Sequence, residues 1–126
     1  MKKNIPAITA SGEWFYMNQK EITVREIYDK IKADNKLDIE IWDGAGVLEI
    51  NYSEKQSIDF EMLQPMFKDK EGNEYLKNND IHTLYMVSFD GADFDIVLPI
   101  LKYIVLNCGG YFCEDNMDLT QSMIIK

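Results

Sequence analysis

Carboxylates dominate the residues of this chain that could do chemistry. They gather in two groups near its end: Asp90, Asp93 and Asp95, then Glu114, Asp115 and Asp118. Neither group has the calcium-loop pattern of alternating oxygen ligands, a glycine at the sixth position and a distal glutamate. Asp93 and Asp95 stand where a helix needs an N-cap, and that role accounts for them. The remaining acids read as a solvated face or as a partner epitope. His82 is the only histidine. No Ser/His/Asp or Cys/His constellation surrounds it in the sequence, so it reads as a residue at a loop-to-strand boundary. Cys108 and Cys113 straddle Gly109-Gly110. With a single histidine they are too few for a zinc site. The turn between them would let a disulfide close, but without a secretory signal two reduced, buried thiols are the better reading. Acids beside Cys113 raise its thiol pKa and oppose nucleophilic use.

Gly44-Ala45-Gly46 begins like a dinucleotide fingerprint, yet Glu49 stands where the third glycine belongs and no helix follows. A hairpin turn explains it better. Trp14, Phe15, Tyr16 and Trp42 could stack nucleobases, but with no arginine or lysine beside them a core role is expected. No catalytic, cofactor-binding or metal-ligating set emerges, and the expectation is a protein that is not an enzyme and needs no cofactor.

Composition points the same way. The chain has 126 residues, enough for one domain, 1–126, with one core. Its hydrophobic fraction of 46% is that of an ordinary globular protein. With 22 acids against 13 bases the formal net charge is −9. That balance argues against direct binding to nucleic acid or to anionic membranes, which needs Lys and Arg, and suits a basic partner. Asn78–Lys126 alone carries −5, because seven acids there face only Lys102 and Lys126. The basic start at Lys2 and Lys3 is not followed by an apolar h-region, and the apolar run Ile96–Leu106 is broken by Pro99 and Lys102. A cytoplasmic protein is expected.

The elements that must position these residues are legible from period and punctuation. Gly12–Met17 is aromatic-rich and reads as a strand. Thr23-Val24-Arg25-Glu26 is a capping box, after which Val24, Ile27, Tyr28 and Ile31 share one helical face; the helix is expected to end near Asn35. Leu37–Trp42, Val47–Tyr52 and Ser57–Leu63 alternate apolar and polar, with Asp43-Gly44 as a hairpin signal. They predict an antiparallel meander whose wet side carries Asp38, Glu40, Glu49, Asp59 and Glu61. Residues 64–80 show no period and read as a long mobile polar insertion. Thr83–Phe89 reads as a buried strand. Proline belongs in a first helical turn, so the last helix is expected to begin near Asp95 or Ile96. Leu98, Leu101, Val105 and Cys108 line one side of it, and Ile100, Ile104 and Leu106 make it apolar almost all round, implying deep burial. Gly109 supplies a left-handed C-cap, and Tyr111–Cys113 is a short strand. Strands with two helices imply an α+β fold: an antiparallel sheet with two helices packed on one face, ferredoxin-like or a related two-layer sandwich.

The block D-x2-D-x-D-x-V-L-P-I-L-K from Asp90 to Lys102, then the double glycine, the aromatic pair Tyr111-Phe112 and an acidic turn, resembles small bacterial immunity proteins of polymorphic-toxin and contact-dependent inhibition systems. The resemblance covers about 35 residues. It implies an acidic α+β cytoplasmic protein that binds a cognate toxin domain and blocks it by occlusion, so no catalytic residues are carried over. Charge fits independently, since acids steer association with a basic cleft such as that of a nuclease. Affinity would come from a few anchors, for which the candidates are Trp42 next to Asp43, Tyr75, and Tyr111 or Phe112 beside Glu114, Asp115 and Asp118. Two other classes stay open: an acidic nucleic-acid mimic inhibiting a DNA-binding protein, and a small ligand-binding or enzymatic domain built from dispersed residues such as His82, Tyr85 and Asp115. Exposed strand edges would support a homodimer.

Overall fold

The computed structural model describes residues 11–126 apart from Asn35 and Met117, so the basic start at Lys2 and Lys3 lies outside the described residues. The fold is α+β. Ten main elements follow in order: β1 (Glu13–Asn18), α1 (Val24–Ile31), β2 (Asp38–Trp42), β3 (Val47–Asn51), β4 (Ser57–Leu63), α2 (Lys70–Asn78), β5 (Thr83–Ser88), α3 (Phe94–Cys108), β6 (Tyr111–Glu114) and β7 (Ile124–Ile125). The strands form one antiparallel sheet in the order β2-β3-β4-β5-β1-β6-β7. Its central strands, β4-β5-β1-β6, have the 2-3-1-4 order of a ferredoxin-like sheet. The hairpin β2-β3 widens it beside β4, and β7 widens it beside β6.

Helices α1 and α3 cover one face. Alternation along each strand sends Trp14, Tyr16, Leu48, Ile50, Ile58, Phe60, Tyr85, Val87 and Phe112 toward them, and all are fully buried. Val24, Ile27 and Ile31 supply the buried stripe of α1, and Phe94, Val97, Leu101, Ile104 and Cys108 that of α3. The capping box at Thr23 forms: the Thr23 hydroxyl accepts from the Glu26 amide at 3.2 Å, and Glu26 accepts from the Thr23 amide at 3.2 Å. Helix α1 then stops at Ile31, with Lys32 as its C-cap, a turn short of the expected end.

Several expectations are corrected. Residues 64–80 are not a structureless insertion: they hold α2, capped by the Asp69 carboxylate accepting from the Gly72 amide at 2.7 Å. The Asn73 side chain bridges the N–H and C=O of Phe67, fixing the entry to the helix, and Leu76 anchors it. Helix α2 lies on the second face of the sheet, over a smaller core of Phe15, Met17, Ile81, Leu84 and Cys113. Gly72 allows this close seat, since a Cβ there would stand 2.8 Å from the Phe67 ring. In the β2–β3 hairpin the positive φ falls on Gly46, at 65°, after a 3-10 turn over Asp43–Ala45. Pro99 lies beyond the first turn of α3, which begins at Phe94. Asp93 precedes that helix without a side-chain capping bond; its carboxylate accepts from the Tyr52 hydroxyl at 2.5 Å instead. The helix is not buried all round, because Leu106 is 81% exposed near its end and Ile96 is exposed in its first turn. After β6 the chain returns and pairs with it as β7.

The end of α3 is held by the sheet. Gly109 and Gly110 take φ of 77° and 71°. The Asn18 amide donates to the Cys108 carbonyl at 3.1 Å and to the Tyr16 hydroxyl at 2.9 Å, and that hydroxyl donates to the Gly109 carbonyl at 2.7 Å. Carbonyls that a helix leaves unpaired are thereby satisfied inside the core.

Candidate functional site

Charge is sorted by element. Among the described residues the strands carry Glu13, Asp38, Glu40, Glu49, Asp59, Glu61 and Glu114 and no basic side chain. The helices are neutral: Arg25 and Lys30 balance Glu26 and Asp29 in α1, Lys70 and Lys77 balance Glu71 and Glu74 in α2, and Lys102 balances Asp95 in α3.

Cross-strand register turns these acids into a line. On the face opposite α1 and α3, Glu40 pairs with Glu49, Glu49 with Asp59, Asp59 with Ser88, and Ser88 with Glu13. Asp115, whose amide donates to the Glu13 carbonyl at 3.1 Å, continues the row. Neighbouring strands lie about 4.8 Å apart, so the carboxylates repel one another. Partial desolvation, then Asp59, then Glu40 push the Glu49 carboxyl above its ordinary pKa. Asp115 is raised by desolvation and then by Glu13. Glu40 accepts from the Asn51 amide at 3.1 Å and Asp59 from the Ser57 hydroxyl at 2.7 Å; these neutral donors orient the carboxylates without cancelling their charge.

Two residues along each strand runs a second, largely apolar row: Trp42, Val47, Glu61, Met86, Phe15, Cys113 and Ile124. Trp42 is 44% and Met86 39% exposed. Trp42 is therefore no core residue, unlike Trp14, Phe15 and Tyr16, which are buried. Toward α2 this row runs into a groove of about 730 Å³. Phe15, Phe67, Tyr75, Leu119 and Ile124 give it an apolar lining. Asp69, Glu71 and Glu74 stand on one wall, Asp115 and Asp118 on the other.

The residues singled out in the sequence distribute over this face unequally. Tyr75 and Tyr111 come together, their hydroxyls 3.0 Å apart, and burial above all drives both phenols upward in pKa. Tyr75, Asp115 and Asp118 all line the groove, where Asp118 also caps a turn by accepting from the Thr120 amide and hydroxyl. Trp42 lies at the far end of the apolar row, on the edge strand β2. Asp43 is held by Arg25 in a two-point ion pair at 2.6 and 3.2 Å, and Glu114 accepts from the Ser11 amide at 3.1 Å. Both are engaged within the chain. Glu40, Glu49 and Asp59 were placed on the wet side by alternation, but only register could align them.

The dispersed set His82, Tyr85 and Asp115 is not brought together. Tyr85 is buried on the helix-covered face, its hydroxyl donating to the Ile22 carbonyl at 2.6 Å, whereas Asp115 lies on the other face. His82 is exposed just before β5, its Nδ1 2.8 Å from the Gln19 carbonyl oxygen. Cys108 and Cys113 are free, buried, and packed in the cores on opposite faces of the sheet, so they do not face each other; burial is the main cause that raises both thiols. Among the described residues no group of three or more His, Cys, Asp or Glu is arranged to hold a metal ion, and no helix is long and apolar enough to cross a membrane. No family model, curated protein or solved structure matches the chain.

Proposed function

We propose that this chain is a protein-binding module that docks a basic protein on the open face of its sheet, and that its role is to neutralise a cognate basic toxin domain in the cytoplasm by covering its active site. The observation that carries this reading is the pair of adjacent rows, one acidic from Glu40 to Asp115 and one apolar from Trp42 to Ile124. The acidic row supplies long-range attraction and a fast encounter. The apolar row supplies exposed anchors, Trp42 and Met86, of the kind that dominates interface affinity. The partner is heterologous on this reading. Antiparallel pairing of two β2 edges in registers centred on Glu40 or Ile39 would set Glu40 opposite Glu40 or Asp38 of the second copy, which like charges disfavour.

The test is a pull-down from lysate at low and high salt, with the wild-type chain and with Glu40→Lys/Glu49→Lys/Asp59→Lys. A single basic protein retained by the wild type, weakened by salt and lost in the triple variant is expected. Retention by the triple variant would overturn the reading. A second reading, an acidic nucleic-acid mimic, draws on the same cross-strand row of carboxylates. Its signature would be capture of several unrelated DNA-binding proteins that elute together with salt.

A further inference from the structure

The groove under α2 has a character the flat part of the face lacks. Its apolar lining is aromatic and aliphatic, acids stand on both sides of it, on α2 and after β6, and none of its described lining residues is Lys, Arg or His. Two of the wall carboxylates serve the fold: Asp69 caps α2 and Asp118 caps the turn at Leu119–Gln121. The other three, Glu71, Glu74 and Asp115, receive no hydrogen bond and form no ion pair among the described residues. Repulsion between the acids of α2 and those after β6 opposes closing the groove on itself, and burying its apolar lining under an apolar cover would strand those charges. A volume of about 730 Å³ lies within the range of sites that hold a small ligand or a few residues of a peptide.

We infer that this groove receives an extended segment of the partner protein in which basic and aliphatic side chains alternate. Aliphatic side chains and the methylene stems of lysines lie on Phe15, Phe67, Tyr75, Leu119 and Ile124, while the ammonium groups reach Glu71 and Glu74 on one side and Asp115 on the other. Lysine stems bury their carbons against apolar surface while the charge stays at the rim, which is the complement of this lining. The groove opens onto the apolar row through Phe15 and Ile124, so such a segment continues the docking face. The inference rests on the reading that the partner is a basic protein.

The test uses a short labelled peptide of alternating lysine and leucine, followed by fluorescence anisotropy. Two double variants each remove two negative charges: Glu74→Gln/Asp115→Asn on the walls and Glu40→Gln/Glu49→Gln on the flat face. Glu71→Gln/Glu74→Gln is a second wall variant, and thermal unfolding confirms that each is folded. The wall pairs are expected to weaken the peptide about tenfold and the flat-face pair less than about twofold. Spermidine is expected to displace the peptide no better than Mg2+ at matched ionic strength. Three results would overturn the inference: no peptide binding, equal losses in wall and flat-face variants, or displacement by spermidine as effective as by unlabelled peptide, which would make a free polyamine the occupant. Peptide failure alongside a lysate partner still lost in the triple reversal would sink the groove and leave the docking face standing.

Discussion

Glu49 sits between Glu40 and Asp59 in the acidic row, and removing its charge should stabilise the protein. With carboxylates about 6 Å apart in a largely aqueous setting, each repulsion amounts to roughly 0.7 kcal/mol before screening. Physiological salt about halves it, leaving on the order of 0.5–1 kcal/mol for the two neighbours together. For a chain of 126 residues that is a rise in melting temperature of about 2–4 °C in Glu49→Gln at neutral pH. The pH dependence follows from the raised pKa of Glu49. A carboxyl whose pKa is higher folded than unfolded binds its proton more tightly in the native state. Its favourable contribution is complete below the unfolded pKa and is lost as pH rises through the folded value. The wild type should therefore gain relative to Glu49→Gln as pH falls from neutral toward about 4, and the variant's advantage should vanish there. Differential scanning calorimetry across that range, in low salt and in about 1 M NaCl, reads both effects. A variant less stable than wild type at neutral pH, or an advantage unchanged by high salt, would refute the repulsive row.

Gly110→Ala should lose about 2–4 kcal/mol in denaturant unfolding, because its φ is 71° and a Cβ would stand 2.4 Å from the Met17 carbonyl oxygen, whereas Gly44→Ala, with nothing within 4 Å, should be within about 0.5 kcal/mol of wild type. Thr23→Ala should cost about 1 kcal/mol by the same measurement, through loss of the capping box on α1. Tyr85→Phe should cost about 1 kcal/mol, since the buried hydroxyl donates to the Ile22 carbonyl. Trp42→Ala should leave the melting temperature within about 1 °C while weakening capture of the basic partner, because its ring is half exposed on the docking face; unchanged capture would remove Trp42 from the interface.

Local rules carried much of the fold into the sequence. The capping box at Thr23, the alternation of the β2-β3-β4 meander and the apolar stripe of α1 each depend on neighbours within a few positions, so they were legible without coordinates. Helix α2 was not, because its sequence KEGNEYLKN is polar and carries a glycine. Its stability comes from Leu76 and Tyr75 packing on the sheet and from Asn73 bridging to Phe67, all contacts outside its own period. The last helix misled in the opposite sense: nearly continuous apolarity implied burial on every side, but only the Phe94, Val97, Leu101, Ile104 and Cys108 stripe is buried, and Ile96 and Leu106 are exposed.

For the site, the sequence determined the sign of the charge and which acids face solvent, because a period of two fixes the face of every strand residue. It could not determine that Glu40, Glu49, Asp59, Glu13 and Asp115 form one line, that Tyr75 meets Tyr111, or that Asp43 is held by Arg25. Those facts depend on strand order and register, which bring together residues as far apart in the chain as Glu13 and Asp115. Alternation says which side of a strand a side chain takes; only the pairing of strands decides what stands beside it.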